Sequence, residues 1–383
     1  MRGLPFEYAV RNLGRSPARL AMSAGGSMLV VLLVIAATSF VSGMQTSLRV
    51  SGSPRNAILM GAGSEESVER SEIPMRTATI AAASIDDIER IAGTEAVSAE
   101  IHSAIPVRTR AGLVLNTLVR GITPSAFLVH REVRLIDGRL PEVGADEIVI
   151  GRLAAQGLGI EALGEQVLLD DRAFTVTGTL LAEGGVVEGE IWMPLSDLMV
   201  VNQRDTLSCV VVGLETESMS QVKAFANTRI DLELSTVRED EYFAALAAFF
   251  SPIRLMVIAT AVLVAAGGVI GGLNTTYAAF ASRVREIGTL RTLGYSRFAI
   301  LRNLIEESVL MASIGGLLAA VAALALLDGL TIQFSMGSFG LSVGPLELAL
   351  GLASGLLLGI MGAVMPAFRC LRMPVPEALR AAA

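Results

Sequence analysis

Residues 281–296, ASRVREIGTLRTLGYS, lie between two long apolar runs and combine basic with apolar side chains. Read as a helix, the stretch has an apolar face and charged flanks. The face contains Ile287, Leu290, Leu293 and Gly294, and the flanks contain Arg283, Arg285, Glu286 and Arg291. A short helix of this kind needs a surface to pack against. The spacing leaves two surfaces open, an anionic lipid interface or a cytoplasmic partner.

Four apolar stretches are long enough to cross a bilayer, which takes about 20 residues at 1.5 Å of rise each. They predict a polytopic α-helical membrane protein. The first stretch follows a basic N-terminal segment, so it could also be a cleaved signal peptide. We expect a retained anchor, because the stretch has roughly 23 residues and the later spans need a compatible orientation.

The basic residues predict the orientation. Arginine is concentrated before the first span, between the second and third, and after the fourth, whereas residues 328–346 contain neither Lys nor Arg. Because basic loops stay in the cytoplasm, both termini and the 281–303 segment are expected there. The predicted order is a cytoplasmic amphipathic helix 1–19, span one 20–42, an extracytoplasmic domain 43–251, span two 252–280, a cytoplasmic helix 281–303, span three 304–327, an external loop 328–344, span four 345–368 and a cytoplasmic tail 369–383.

The external domain is large enough for its own core and reads as mixed α and β. Between residues 43 and 250 it has 30 Asp and Glu against 17 Lys and Arg, which makes a nucleic-acid partner unlikely on charge grounds. Helices are predicted at Ser84–Ile91, from a capping-box pattern, and at Ser218–Asn227, and residues 51–72 are predicted to be a mobile loop. Strands are predicted at Ile105–Arg110, Leu113–Arg120, Glu147–Ile150, Gln166–Leu169, Phe174–Leu180, Glu190–Met193 and Ser208–Val212.

Catalytic and metal-binding motifs are not found. His102 and His130 lie 28 residues apart without a metal-ligand spacing, and packed or surface histidines are the simpler interpretation. Cys209 and Cys370 fall on opposite sides of the membrane, so no intrachain disulfide is expected. The single lysine, Lys223, is outside any Gly-rich context, so the P-loop GxxxxGK[ST] is missing. We therefore expect a non-catalytic chain without metal or cofactor, in which any ATP is bound by another subunit.

The stretch RVREIGTLRTLGYSRFAILRNLIEESVL, from Arg283, closely resembles the coupling segment of FtsX/MacB-type (type VII) ABC transporter permeases. Their pattern is similar to RxxEIGxLRALGxxxxxILxxxLxE, from which Thr292 departs by replacing a frequent Ala. The N-terminal FEYAVRNLGRSPARL, the internal EIVIGRLAAQGLGIEALGEQVLL and the C-terminal PAFRCLRMPVPEALR resemble further parts of the same family. The resemblance covers most of the chain.

The resemblance implies four spans with a MacB-like periplasmic core domain between the first two. It further implies a bacterial inner-membrane location, a second permease subunit (identical or not), and a possible periplasmic adaptor or outer-membrane partner. ATP and Mg would be bound by a separate ABC ATPase, whose motion drives the external domain, a mechanism called mechanotransmission. The ATPase contacts implied by the motif are Arg283, Arg285, Glu286, Ile287, Leu290, Arg291, Leu293 and Gly294.

Glycines on two spans predict close helix packing. In span two, Gly267, Gly268, Gly271 and Gly272 fit either a dimer interface or packing within one chain, and the resemblance favours the dimer. In span four, Gly351, Gly355 and Gly359 fit packing within the chain better. Glu306, at the start of span three, matches the family's acidic position, although solvation at a helix end explains it equally well.

Three functions are open at this point. The first is an ABC permease for export or extraction of a lipid, lipoprotein or other amphiphile. The second is an FtsX-like regulator that transmits ATPase motion to a cell-wall hydrolase, which the size of the external domain makes less favoured. The third, a membrane scaffold without an ATPase, is disfavoured by the coupling segment.

The orientation predicts the behaviour of reporter fusions. A reporter that is active only outside the cytoplasm should work when fused after Glu72 or Asn202, because both positions lie in the external domain. It should fail after Arg297 or Ala383. Activity of the Arg297 fusion would overturn the assignment of the basic segments to the cytoplasm.

Overall fold

The computed structural model describes residues 5–14, 17–109, 112, 114–334 and 337–380. The chain separates into two compact units. The helical unit comprises Met1–Val41, Pro252–Leu330 and Ser342–Ala383, and the sheet unit comprises Ser42–Ser251 and Thr331–Leu341. The helices, in chain order, are α1 (Phe6–Gly14), α2 (Pro17–Val50), α3 (Arg76–Ser84), α4 (Ala126–Val129), α5 (Arg152–Leu158), α6 (Leu195–Asn202), α7 (Ser220–Thr228), α8 (Glu239–Phe249), α9 (Ser251–Ala281), α10 (Val284–Thr292), α11 (Arg297–Leu326), α12 (Pro345–Arg372) and α13 (Val375–Arg380).

Four helices in the described part of the chain are long and apolar enough to cross a membrane: Leu20–Val50, Ser251–Ala281, Arg297–Leu326 and Pro345–Arg372. The third of these begins at Arg297, inside the predicted 281–303 segment. Its start is set by Ser296, whose hydroxyl accepts a hydrogen bond from the backbone N–H of Ala299 at 3.1 Å.

Helices α2, α11 and α12 pack closely through small residues. A methyl group on Gly351 would lie 2.4 Å from Ile35, and one on Gly359 would lie 2.9 Å from Ala312. Gly355 faces Val31 in the same way, at 2.8 Å. The prediction that the span-four glycines pack within the chain is confirmed, because any larger side chain would push these helices apart.

The sheet unit is built on a ten-stranded mixed sheet with the order β14-β1-β13-β5-β6-β11-β8-β10-β7. Its tenth strand, β9, pairs with both β10 and β5, so the path through β5, β6, β11, β8, β10 and β9 closes on itself. Only β6 with β11 and β8 with β10 pair in parallel among the described strands. The strands are β1 (Asn56–Gly61), β2 (Ile73–Pro74), β3 (Arg90–Ile91), β4 (Thr94–Glu95), β5 (Val97–Arg108), β6 (Val114–Ile122), β7 (Arg134–Gly138), β8 (Glu147–Gly151), β9 (Gln166–Leu169), β10 (Arg172–Leu181), β11 (Ile191–Pro194), β12 (Thr206–Leu207), β13 (Cys209–Gly213), β14 (Leu234–Arg238), β15 (Thr331–Phe334) and β16 (Gly337–Gly340).

Two local predictions in this unit are wrong. Residues 51–72 are not a loop throughout, because the apolar run NAILMG forms β1, a buried strand between β13 and β14. The segment Ser84–Ile91 is not a helix, because α3 ends at Ser84 and the buried Ile85 is extended. Asp87, expected in a capping box, accepts a hydrogen bond from Thr216 instead. The helix predicted at Ser218–Asn227 is confirmed as α7.

A network of buried charges crosses the sheet. The Arg120 guanidinium donates to both carboxylate oxygens of Glu190, at 2.7 and 2.8 Å, and to Glu100 at 3.0 Å. His130 bonds the other oxygen of Glu100 at 2.8 Å, and Trp192 donates its indole N–H to Glu190 at 2.7 Å. Paired in this way, the charges avoid the large cost of an isolated buried ion.

The two histidines of the chain therefore meet at one carboxylate. His102 also bonds Glu100, at 2.9 Å, and Cys209 comes close enough to complete a group whose ligand atoms lie within 4.8 Å of one another. The carboxylate of Glu100 is already occupied by Arg120, His130 and His102. We assign the three residues to the ion network, in agreement with packed histidines.

The network predicts a pH-dependent stability. Burial lowers the pKa of His130, but the carboxylates of Glu100 and Glu239 outweigh it and raise the pKa to about 9. Because this is above the ordinary value of about 6.5, the contribution of charged His130 is complete below that pH and is lost as the pH rises through 9. The thermal midpoint, followed by fluorescence of the single Trp192, should fall between pH 6.5 and 9.

The variant His130→Gln should show a smaller fall over this range. His102→Gln is the matched control, because burial, together with Arg120, lowers the pKa of His102 and leaves it neutral at these pH values. Identical pH profiles for wild type and His130→Gln would contradict the charged state of His130.

Candidate functional site

The basic segment 281–303 forms a helix, a tight turn and the start of a second helix. After α9 ends at Ala281, the chain turns and α10 runs from Val284 to Thr292. Gly294 then adopts a φ of +88°, which favours glycine because a side chain there would be strained. Within three residues the chain enters α11. The predicted amphipathic helix is therefore short and is fixed at both ends.

One side of α10 packs into the helical unit. Val284, Ile287 and Gly288 are buried, and the first two belong to an apolar cluster of that unit. The cluster further contains Phe280, Ile300, Leu304, Ala367, Cys370, Leu371 and Ala378. A fully buried side chain of the size of Ile287 contributes about 1.5–3 kcal/mol. These contacts hold α10 on the ends of α9, α11 and α12.

The C-terminal helix α13 lies directly against α10. A methyl group on Gly288 would lie 3.1 Å from the Cβ of Ala378, which is itself 2% exposed. The guanidinium of Arg291 donates to the backbone carbonyl of Met373 at 2.5 Å. The PVPEALR ending therefore supports the basic segment.

An ion network joins α10 to two other helices. Arg283 donates to Glu286 at 2.8 Å and to Glu307, in α11, at 2.8 Å. The hydroxyl of Tyr8, in α1, donates to Glu286. Burial lowers the pKa of Arg283, but the hydrogen bond to Glu286 and the charge of Glu307 outweigh it, so that the pKa is raised. Arg283 is therefore a fixed cation that connects α10 to α11.

The predicted coupling residues divide into two sets. Ile287 and Arg283 are engaged within the chain, and Arg291, Leu290 and Glu286 are partly so. Arg285, Leu293 and Gly294 are exposed, with Leu293 at 66%. The prediction that Ile287 and Leu293 share one face is wrong, because α10 ends at Thr292 and the chain turns before Leu293 can follow the helical phase.

Phe298 was missed by the sequence interpretation. Its side chain, in the first turn of α11, is 75% exposed, close in sequence to Leu293. A large aromatic residue two positions after a capping serine in a basic segment was the available signal. We define the exposed surface as Arg285, Leu293, Gly294 and Phe298. Exposed apolar side chains in a basic segment are typical of protein interaction sites.

The acidic residue that faces the segment is Glu307 and not Glu306. Glu307 is fully buried and accepts from Arg283, whereas Glu306 pairs with Arg302 one turn earlier, at 2.7 Å. The two glutamates are adjacent in the sequence and therefore point to different sides of α11. Which of these sides is buried depends on how the helix packs.

The span-two glycines do not form one surface within the chain. A methyl group on Gly268 would lie 2.7 Å from Val30, so Gly268 packs on α2. Among the described residues, no atom outside the local helix backbone lies within 4 Å of the corresponding position at Gly267, Gly271 or Gly272. None of the most apolar part of α9 is buried within the described chain, against 22–33% for the other three membrane-length helices.

The described chain has four membrane-length helices, with the mixed sheet unit between the first two and the packed basic segment between the second and third. This arrangement is that of a polytopic membrane permease. A family model described as the MacB-like periplasmic core domain matches residues 20–228, and one described as the FtsX-like permease C-terminal matches residues 258–375. The first model alone covers more than half of the 383 residues. The chain therefore belongs to the FtsX/MacB-type family of ABC transporter permeases.

Curated relatives show the same family. The macrolide export ATP-binding/permease protein MacB of Nitrobacter winogradskyi is 28% identical over 401 residues, which covers 96% of this chain and 58% of that protein. The pyoverdine export ATP-binding/permease protein PvdT of Pseudomonas syringae pv. tomato is 27% identical, over 58% of this chain and 36% of that protein. The chain spans about half the length of the curated relatives it matches.

A solved structure is also similar. The periplasmic region of MacB from Actinobacillus actinomycetemcomitans matches with a TM-score of 0.39 and 15% sequence identity, covering 53% of this chain and 97% of that structure.

The Arg283–Glu307 pair predicts a measurable difference between two neighbouring carboxylates. Glu307→Gln leaves the half-buried Arg283 with Glu286 as its remaining anionic partner and removes the charged hydrogen bond that joins α10 to α11, which should destabilise the helical unit by about 2 kcal/mol. Glu306→Gln, the matched control, should cost well under about 1 kcal/mol, because its pair with Arg302 is partly exposed. The measurements are the thermal midpoint of the purified chain and the rate of tryptic cleavage at Arg285 and Arg291. Equal cleavage rates in both variants would show that Glu307 does not hold α10.

Proposed function

We propose that this chain is the permease subunit of an ABC transporter whose ATPase docks on the basic segment. The observation that carries the proposal is the exposed surface of Arg285, Leu293, Gly294 and Phe298 on a segment whose other side is buried in the helical unit. A partner bound there would push on α10 and, through the Arg283–Glu307 pair and the apolar cluster, on the ends of α11 and α12. ATP and Mg would be bound by that partner.

The function that we propose is export or extraction of a lipid, lipoprotein or other amphiphile, driven by mechanotransmission to the sheet unit. The names of two relatives, a macrolide export protein and a pyoverdine export protein, support an exporter over an FtsX-like regulator of a cell-wall hydrolase. The proposed arrangement has both termini in the cytoplasm and the sheet unit outside. A periplasmic adaptor or an outer-membrane partner would complete the export path.

We further propose that α9 meets a second permease subunit. Its apolar side chains are exposed along most of its length, and Gly267 and Gly271 have no side chain that would keep another helix at a distance. Gly268 is excluded from this contact, because it packs on Val30 of the same chain.

The docking proposal is tested by reversing the chemistry of the exposed surface. The double variant Arg285→Glu with Leu293→Asp should lose the ATPase, because it replaces a cation and an apolar contact by two anions while leaving the buried side of α10 intact. Affinity purification of the tagged chain from its own cells, followed by mass spectrometry, measures the ATPase recovered per permease. We expect at least a tenfold loss.

The matched control is Arg254→Glu with Phe249→Asp, which makes the same charge reversal at the other end of α9 and replaces an exposed apolar side chain of α8 by Asp, since Phe249 is 68% exposed. This control should retain the ATPase. Wild-type recovery by the Arg285/Leu293 variant would remove the docking site from this surface.

A further inference from the structure

The sheet unit contains a cavity of about 330 Å³ beyond the ends of two parallel strands. Strands β6 and β11 pair in parallel, with Ile122 opposite Pro194, so their carboxyl ends meet at one edge. Ligand pockets are common at such edges, because the chain leaves the sheet there in different directions. From β6 the chain turns towards α4, and from β11 it passes directly into α6. Leu140, Pro141 and Val143, in the loop 139–146, line the remaining side.

The lining of the cavity is apolar. Ten of the twelve described lining residues are apolar, and none of the twelve is ionisable. Its two hydroxyl groups already have partners, because Thr123 bonds Ser125 at 2.9 Å and Ser196 donates to Asp197 at 3.1 Å. A polar occupant would therefore lose hydrogen bonds to water without replacing them. The chemistry of the lining requires an occupant made of hydrocarbon.

The mouth of the cavity carries exposed apolar side chains on an ordered loop. Leu140 is 42% exposed and Val143 is 73% exposed. The loop is attached to α6 by the backbone N–H of Gly144, which donates to the carboxylate of Asp197 at 2.9 Å. Covering these two side chains would release water from apolar surface, which is favourable. The cavity is thus preformed. The apolar side chains at its mouth are not covered by other residues of the described chain.

We propose that this cavity binds one acyl chain of a lipid, with the headgroup left in water outside the mouth. A peptide segment is a poorer occupant, because its backbone N–H and C=O groups need partners that the lining does not offer. The volume is at the lower end of the roughly 300–1,000 Å³ of ligand pockets, which suits part of an amphiphile. The inference rests on the proposed export of an amphiphile. The cavity would hold the hydrocarbon part of that cargo within the sheet unit.

The test places the photo-crosslinking residue p-benzoylphenylalanine at Val143 in the full chain, held in nanodiscs of a single phosphatidylethanolamine. After irradiation, intact-protein mass spectrometry measures the fraction of chain that carries one lipid. The matched control has the same residue at Ile230, which is 81% exposed in the same unit but does not line the cavity. We expect at least tenfold more lipid adduct at Val143 than at Ile230.

A second pair of variants separates cavity binding from simple contact with the bilayer. Met199→Trp fills the cavity, whereas Val200→Trp adds the same side chain at the next residue of α6, which is 66% exposed. Filling should abolish the Val143 adduct, and the control should preserve it. Ser196→Phe is a second filling variant, and far-UV circular dichroism checks that each variant is folded.

Two results would overturn the proposal: an adduct at Val143 that does not exceed that at Ile230, or an adduct that survives both filling variants. The assay contains no ATPase. The result for lipid binding is therefore independent of the result for ATPase docking at Arg285 and Leu293.

Discussion

The buried pair between Arg283 and Glu307 is the constraint on which the arrangement of the helical unit depends. A carboxylate that is completely buried near the start of an apolar helix is costly unless a cation meets it. Arg283 supplies that cation at 2.8 Å, and its position fixes where α10 begins relative to α11. The apolar cluster around Ile287, the contact between Gly288 and Ala378, and the Tyr8 hydroxyl then hold the rest of α10. The exposed surface of Arg285, Leu293, Gly294 and Phe298 consists of residues that these contacts leave uncovered.

The sheet unit satisfies a similar electrostatic demand. Arg120 lies between Glu100 and Glu190, and His130 completes the balance of charge. Each carboxylate has a hydrogen-bond donor, so the network favours one arrangement of the strands over any shifted register, since a shift would leave charges buried without partners. A unit held in this way is suited to moving as one body, which mechanotransmission requires.

The membrane topology, the mixed sheet and the position of the basic segment could be predicted from the sequence, because each depends on long runs of residues with one property. The apolar spans and the strand Glu147–Gly151 are examples. Features that depend on tertiary contacts could not be predicted from the sequence. The strand β1 lies in a polar context, and the choice between Glu306 and Glu307 depends on helical phase. The network of Glu100, Arg120, His130 and Glu190 joins residues that lie 20 to 70 positions apart in the sequence. Phe298 is exposed only because α11 begins as early as it does.

If an ATPase acts on the basic segment as we propose, α10 and α11 should move together. Spin labels at Thr289 and Leu317, both exposed, allow the distance between the two helices to be measured by double electron–electron resonance. The permease–ATPase complex would be compared in its nucleotide-free state and after trapping with ATP and vanadate. We expect the same distance distribution in both states, because the Arg283–Glu307 pair and the apolar cluster around Ile287 link the two helices. A shift of several ångströms between the states would contradict it.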